Sequence, residues 1–218
     1  MKNDHIFDIY SIEEDLYGKG YKYIAGSDEA GRGPMAGPLV VASVILPVGI
    51  KIPYLNDSKK VSPKRRELLF EEIKKVAIDI QVEIISVDEV DKLNVYQASK
   101  VGMERTLSRM ENLDYALTDC MDVEINVPYT SYVKGDSKSA SIASASIIAK
   151  VTRDHIMLEL DKLYPMYGFS KHKGYVTKLH REALVKYGVS PVHRKTYAPV
   201  INEIENNNYL KENLWKNI

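Results

Sequence analysis

Asp28-Glu29-Ala30-Gly31-Arg32-Gly33-Pro34 follows directly on the apolar segment Tyr23-Ile24-Ala25-Gly26-Ser27, and this junction decides how the 218-residue chain is read. The apolar segment predicts a strand over Tyr23–Asp28 that ends in two adjacent carboxylates. Neighbouring acids repel each other, and grouping them becomes favourable where a divalent cation takes their oxygens. The loop that follows offers backbone N–H groups and one guanidinium, both suited to phosphate. Metal on one side and phosphate on the other point to phosphodiester chemistry. The same residues also have the composition of a solvated turn. They do not form a dinucleotide-binding loop, because Pro34 interrupts the run of glycines to Gly37 and an apolar stretch follows where a helix is required.

Working outward, the continuous apolar run Leu39–Leu46 predicts a buried strand, joined to the first as an antiparallel hairpin. Ser62 and Pro63 suit the N-cap and first position of a helix whose apolar face is Leu68, Leu69, Ile73 and Val76. Ile80–Val87 returns to β, and Tyr96–Met110 reads as helix. Tyr115–Asp119 is a short strand ending, like the first, in an acid, and Thr130–Val133 is a further strand. Ser139–Leu163 is the longest helical stretch, and its first half is almost all small residues. Serine is mildly unfavourable inside helices, so close packing is the better account of that composition. Thr177–Tyr187 is another helix, closed by Gly188, and the tail from Ile201 is weakly amphipathic, anchored by Leu210, Leu214 and Trp215. The expectation is one α/β domain over residues 1–218, with a leading segment over about 1–20 and a helical part over about 165–218.

Thirty basic and thirty acidic residues cancel, but they are unevenly placed. Ser131 to Val200 holds nine Lys and three Arg against five acids, whereas Glu111 to Thr130 holds five acids and no Lys or Arg. A basic C-terminal portion is compatible with a polyanion partner. The single Cys120 forms no internal disulfide, no apolar run reaches the ~20 residues a bilayer requires, and the first residues lack a signal peptide's apolar core. A cytoplasmic protein without membrane association is expected.

Four acids stand out: Asp28 and Glu29 at the end of the first strand, Asp119 at the end of a later one, and Asp154 in the long helix, on one face with Ser146 and Lys150. They fall within an ordered series of blocks. These are Ile24–Pro34, Asn56-Asp57-Ser58-Lys59-Lys60, the strand ending at Asp119, Lys134-Gly135-Asp136-Ser137-Lys138, Ala149–Asp154, His172–Thr177 and Ser190-Pro191-Val192-His193-Arg194. In this series, from about Tyr23 to Val200, the chain resembles ribonuclease HII, the type 2 ribonuclease H family. Two departures are visible: Cys120-Met121 follows Asp119 where the family has Gly and a polar residue, and Val176 stands where Gly is common.

The resemblance implies a ribonuclease H-like mixed sheet flanked by helices, with a helical C-terminal part. It implies an endonuclease that hydrolyses the RNA strand of RNA–DNA hybrids and cuts 5′ to ribonucleotides embedded in duplex DNA. Asp28, Glu29, Asp119 and Asp154 would hold two divalent ions, Mg²⁺ or Mn²⁺, with Asp28 as the bridging acid. Gly31, Arg32, Gly33 and Tyr175 would read the ribonucleotide. Lys59, Lys60, Lys138, Lys173, His193 and Arg194 are candidate phosphate contacts. The expected partner is a hybrid or ribonucleotide-containing duplex, bound by a monomer. The sister ribonuclease HIII usually adds an N-terminal domain and a Glu as fourth acid. A non-catalytic hybrid-binding protein would have lost an acid, and a small-molecule phosphate enzyme would lack the basic excess.

Overall fold

A computed structural model of the chain describes residues 8–214, with side chains as far as residue 206. Trp215 and the side chains of Leu210 and Leu214 lie outside the described residues. In chain order the elements are α1 (Ser11–Gly18), β1 (Ile24–Ala30), β2 (Leu39–Ile45), α2 (Pro63–Val76), β3 (Asp79–Ile85), α3 (Val87–Leu93), α4 (Val95–Ser108), β4 (Tyr115–Asp119), β5 (Tyr129–Tyr132), α5 (Ala140–Leu163), α6 (Phe169–His172), α7 (Lys178–Tyr187) and α8 (Ala198–Leu214). They divide into two compact units: one runs to Ala30 and adds Val40–Ile84 and Ser99–Thr152, and the other takes Gly31–Leu39, Ile85–Ala98 and the chain from Arg153 onward.

The five strands form one mixed sheet in the order β3-β2-β1-β4-β5. β1 pairs antiparallel with β2, as the hairpin reading expects, with Asp28 opposite Ala42. It pairs parallel with β4, placing Ser27 opposite Thr118, and β4 pairs parallel with β5. Asp28 and Asp119 each lie one residue beyond the Ser27–Thr118 pair, so two parallel neighbours deliver acids at the same edge. β2 is buried at all seven positions, which suits its unbroken apolar run. β3 stops at Ile85 rather than Val87 because Ser86 caps α3, accepting from Glu89 N at 3.2 Å. Ser62 caps α2 in the same way, but Leu68 is exposed and the buried face of that helix is Leu69 and Ile73.

The two faces of β1 carry different chemistry. On one, Ser27 Oγ, Ser43 Oγ and Thr106 Oγ1 of α4 form a buried hydroxyl chain with links of 2.8 and 2.7 Å. On the other, a Cβ built on Gly26 would lie 2.0 Å from the Ser141 carbonyl carbon, so α5 rests directly on the strand backbone. The run of small residues opening α5 makes that approach possible. Glu13 of α1 holds the start of the same helix, accepting from Ser139 Oγ at 2.5 Å and Ser141 N at 2.8 Å.

The second unit has its own apolar clusters, one of Ala36, Met157, Tyr167, Phe169 and Ala183, the other around Met35, Leu184 and Val200. The β1–β2 connection is threaded through it by main-chain bonds: Met35 N to Gly174 O at 3.0 Å, Arg194 N to Met35 O at 2.9 Å and Gly37 N to Val192 O at 2.8 Å. Among the described residues, no helix is long and apolar enough to cross a membrane.

Candidate metal centre and substrate-facing loop

Asp28, Asp119 and Asp136 each place a carboxylate oxygen within 4.8 Å of the others. Register brings the first two together, and a short helical turn over Gly135–Ser137 brings the third. Gly135 N donates to Asp119 Oδ1 at 2.7 Å, and a Cβ on Gly135 would meet Ile142 Cδ1 at 2.6 Å, so only glycine fits where this turn docks. Asp28 is almost wholly buried and accepts from Glu29 N at 2.7 Å. Burial, then the charges of Glu29 and Asp119, hold its carboxyl well above the usual range, opposed by a hydrogen bond from Ser146 of α5. Asp136 is likewise pushed up, to about 6, by burial and by Asp57 and Asp119, with Lys59 acting against them.

Asp136 is the acid that reading the sequence passed over. It lies inside Lys134–Lys138, a block quoted for its order and not for its carboxyl. Asp154, expected as the fourth acid, stands outside this group; it lies on α5 eight residues beyond Ser146, about 12 Å of helical rise. Its spacing from Ser146 and Lys150 sets a helical face but says nothing of depth along the axis. Cys120, exposed, holds φ at +51°, a left-handed position that costs a side-chain-bearing residue about 1–2 kcal/mol. A glycine there would be free of that cost, which gives the Cys120 departure its physical meaning.

A cleft of about 450 Å³ opens on Asp119 and Asp136 and is lined also by Asp57, Lys59, Lys60 and Lys134. Lys59 is well exposed, and its Nζ stands 3.8 Å from Asp136 Oδ2. Lys138 is half-buried at the end of the Gly135–Ser137 turn.

In the second unit, Gly31 has φ +108°, and a Cβ there would lie 2.3 Å from Arg153 Nε. A Cβ on Gly33 would lie 3.6 Å from Tyr175 Cε1, so the structure does bring the glycine loop and Tyr175 together. Tyr175 is 45% exposed and Arg32 is exposed, while the Arg32 carbonyl accepts from Tyr197 OH at 2.6 Å. Val176, the second departure, packs on the Met35–Leu184–Val200 cluster.

Two expected phosphate contacts are corrected. His193 and Arg194 are fully buried. Arg194 Nε donates to Gly37 O at 3.0 Å and its Nη1 to Tyr197 OH at 2.8 Å, so its guanidinium is turned inward onto the loop and Tyr197. Arg153, which the sequence did not single out, does the same with three carbonyls, of Pro38, Lys173 and Ala36, at 2.9–3.0 Å. Burial, then the nearby Arg194, lowers its pKa to about 10. Lys173 directs its Nζ to the Ser170 carbonyl.

A family model described as Ribonuclease HII matches residues 25–200. The ribonuclease HII of Acholeplasma laidlawii (strain PG-8A) is 53% identical over 194 residues, 88% of this chain and 96% of that protein. The ribonuclease HII of Bacillus cytotoxicus is 51% identical over 209 residues, 94% of this chain and 80% of that protein. Among solved structures, ribonuclease H2 from Pyrococcus horikoshii OT3 superposes with TM-score 0.70 at 26% identity, covering 84% of this chain and 97% of that one. The RNase HII of Archaeoglobus fulgidus, solved in complex with PCNA, gives TM-score 0.70 at 28% identity over 80% of this chain and 95% of its own.

Proposed function

The chain belongs to the ribonuclease HII family, whose members are endoribonucleases acting on RNA–DNA hybrids, and from that premise we propose that it also cuts 5′ to single ribonucleotides embedded in duplex DNA. The observation that carries the reading is the convergence of Asp28, Asp119 and Asp136 within 4.8 Å. These oxygens, those of Asp28 and Asp136 buried and crowded enough to hold protons tightly, form the hard, anionic donor set that suits Mg²⁺ or Mn²⁺. Asp28, Glu29, Asp119 and Asp136 are the proposed ligands, with Asp136 in the place first given to Asp154. Asp28, raised by burial and by the charges of Glu29 and Asp119, is the acid whose charge a bound cation would relieve most. Two divalent ions, when bound, supply an activated water and neutralise charge at the phosphate and the leaving 3′ oxygen.

The remaining work falls to the chain's own groups. Gly135 N–H fixes one Asp119 oxygen and so aims the other. Exposed Lys59, Lys60 and Lys134 line the cleft and hold backbone phosphates. Gly31, Arg32 and Gly33, their backbone set by Arg153 and Arg194, read the 2′-OH while Tyr175 packs on the sugar. Because water rather than the 2′-OH attacks, the products carry 5′-phosphate and 3′-hydroxyl.

The test is cleavage of duplex DNA containing one ribonucleotide, and of an RNA–DNA hybrid, in Mg²⁺, Mn²⁺ or EDTA. Asp119→Asn and Asp136→Asn are expected to abolish metal-dependent cutting, with Asp154→Asn retaining most of it. Loss with Asp154→Asn and retention with Asp136→Asn would return the fourth place to Asp154. Cutting of hybrids alone would remove the ribonucleotide-reading role from Tyr175 and the loop.

A further inference from the structure

Three histidines, His172, His180 and His193, form a buried cluster beneath Tyr175 in the second unit. The rings of His172 and His180 stack with centroids 4.3 Å apart, and His180 Nε2 lies 3.1 Å from His193 Nε2. Their hydrogen bonds admit one arrangement of protons. The Ser190 backbone N–H points at His193 Nδ1 at 3.1 Å, so that nitrogen is bare and also accepts from Ser190 Oγ at 2.7 Å. His193 therefore carries its proton on Nε2 and donates to His180 Nε2. His180 in turn carries its proton on Nδ1 and donates to the Tyr175 carbonyl at 2.9 Å. His172 repeats the logic: its Nδ1 accepts from Gly174 N–H at 3.3 Å, and its Nε2 donates to the Tyr167 carbonyl at 2.9 Å.

Ring nitrogens thus hold the 173–174 and 175–176 peptide units from below, the Tyr175 carbonyl accepting also from Thr177 N at 2.9 Å. The other backbone groups there are also engaged: Lys173 O by Arg153 at 3.0 Å, Gly174 O by Met35 N at 3.0 Å and Tyr175 N by His172 O at 2.9 Å. Only the Tyr175 ring is left facing out, beside Gly33. His180 and His193 are fully buried and His172 nearly so, so the ring-to-ring link touches no substrate itself.

We infer that the chain Ser190–His193–His180 is a positioning relay that fixes the Tyr175 backbone, and so the ring, against the glycine loop, setting selectivity for the ribonucleotide. The Tyr175 carbonyl is its output. The relay has a direction, from the Ser190 N–H to the Tyr175 carbonyl, because the first donor is a backbone amide that cannot turn round. An asparagine at 180 places its amide N–H where His Nδ1–H stands and keeps the last link; a leucine of similar bulk cannot. This inference rests on the reading of Tyr175 given above.

The experiment compares His180→Leu, His180→Asn, Tyr175→Ala and the double variant His180→Leu/Tyr175→Ala on duplex DNA with one ribonucleotide, in Mg²⁺, with folding followed by circular dichroism. Loss of one buried hydrogen bond predicts a fall in kcat/KM of about tenfold for His180→Leu. His180→Asn is expected within about threefold of wild type by the same reasoning. In the Tyr175→Ala background His180→Leu should cost nothing further, since coupled residues are non-additive. A full additional loss in the double variant, or no rescue by asparagine, overturns the relay while leaving the Tyr175 reading intact. A Tyr175→Ala enzyme of wild-type selectivity overturns both. If His180→Leu does not fold, Ser190→Ala, which keeps all three rings, gives the same comparison: a smaller loss that disappears in the Tyr175→Ala background, with persistence there refuting the relay.

Discussion

Replacing Asp136 by Asn should make the metal-free protein more stable while removing its activity. In the folded chain, burial and the carboxylates of Asp57 and Asp119 raise the Asp136 carboxyl from 3.8 to about 6. At neutral pH that crowding costs about 3 kcal/mol, at about 1.4 kcal/mol per pKa unit. Asn carries no charge and escapes it. For a chain of this length, each kcal/mol moves Tm by about 2–4 °C, so the variant should melt about 6–12 °C higher in EDTA at pH 7.5. The sign with pH is fixed. The folded state holds this proton more tightly than the unfolded chain, so wild type loses stability as pH rises from about 4 to about 6. The advantage of Asp136→Asn should therefore shrink to a small fraction by pH 4 and vanish below about pH 3, where both states of wild type are protonated. Saturating Mg²⁺ should stabilise wild type by mass action and the variant much less, narrowing or reversing the gap. Calorimetry with and without EDTA reads all of this. Equal melting of the two proteins in EDTA at pH 7.5, or a gap undiminished at pH 3, would refute the account of Asp136 as a carboxylate held in place for a cation.

Two further outcomes follow from the second unit. Gly31→Ala puts a side chain at φ +108° and within 2.3 Å of Arg153 Nε, so it should lower the urea midpoint by an amount worth at least about 3 kcal/mol; an unchanged midpoint would contradict the packing of Arg153 under the loop. His180 and His193 are held neutral, their pKa lowered to about 4 chiefly by burial and then by neighbouring histidines. Their contribution is full above about pH 6.5 and is lost as pH falls toward 4, the unfolded chain binding the protons first. The ionisable groups around the cluster are Tyr167, Asp161 and Lys173, the last two acting on His172. Urea titrations of His180→Asn beside the unaltered protein, in which the raised carboxyls of Asp28, Glu13 and Asp136 cancel, should give a difference profile that falls by about 2–3 kcal/mol between pH 7 and 4.5. A flat profile would mean that the cluster accepts protons without strain.

Much of the sheet was legible because its signals are local. Tyr115–Asp119 was read to the residue, an apolar run ending in an acid. The Ser62–Pro63 start of α2 and the small-residue opening of α5 were read from caps and composition, and the Gly26–Ser141 approach supplies the contact that composition implied. Asp28 and Asp119 were found because strand ends can be read from sequence. Asp136 was not, because its place depends on three non-local facts: parallel pairing of β1 with β4, the Gly135 N–H on Asp119, and the fit of Gly135 against Ile142. No periodicity marks a carboxyl delivered by a turn, whereas an acid on a regular helix, like Asp154, draws the eye.

The basic residues make the same point from the other side. Lys59 and Arg194 look alike in sequence, each a cation in a polar block, yet one is exposed beside carboxylates and the other is wholly buried. What separates them is the count of backbone carbonyls within reach. Gly31–Pro38 leaves the sheet as a loop whose carbonyls would go unsatisfied in an apolar interior, at a cost of about 1–3 kcal/mol each. Arg153 and Arg194 answer that need with rigid forks of donors reaching Ala36, Gly37, Pro38 and Arg32, where a lysine could meet only part of it. The glycine loop is therefore held in shape by buried cations, while Arg32 and the Tyr175 ring lie exposed on its outer surface. An arginine that keeps a loop in form cannot also be a mobile phosphate contact, which is why the phosphate contacts proposed above are the exposed lysines.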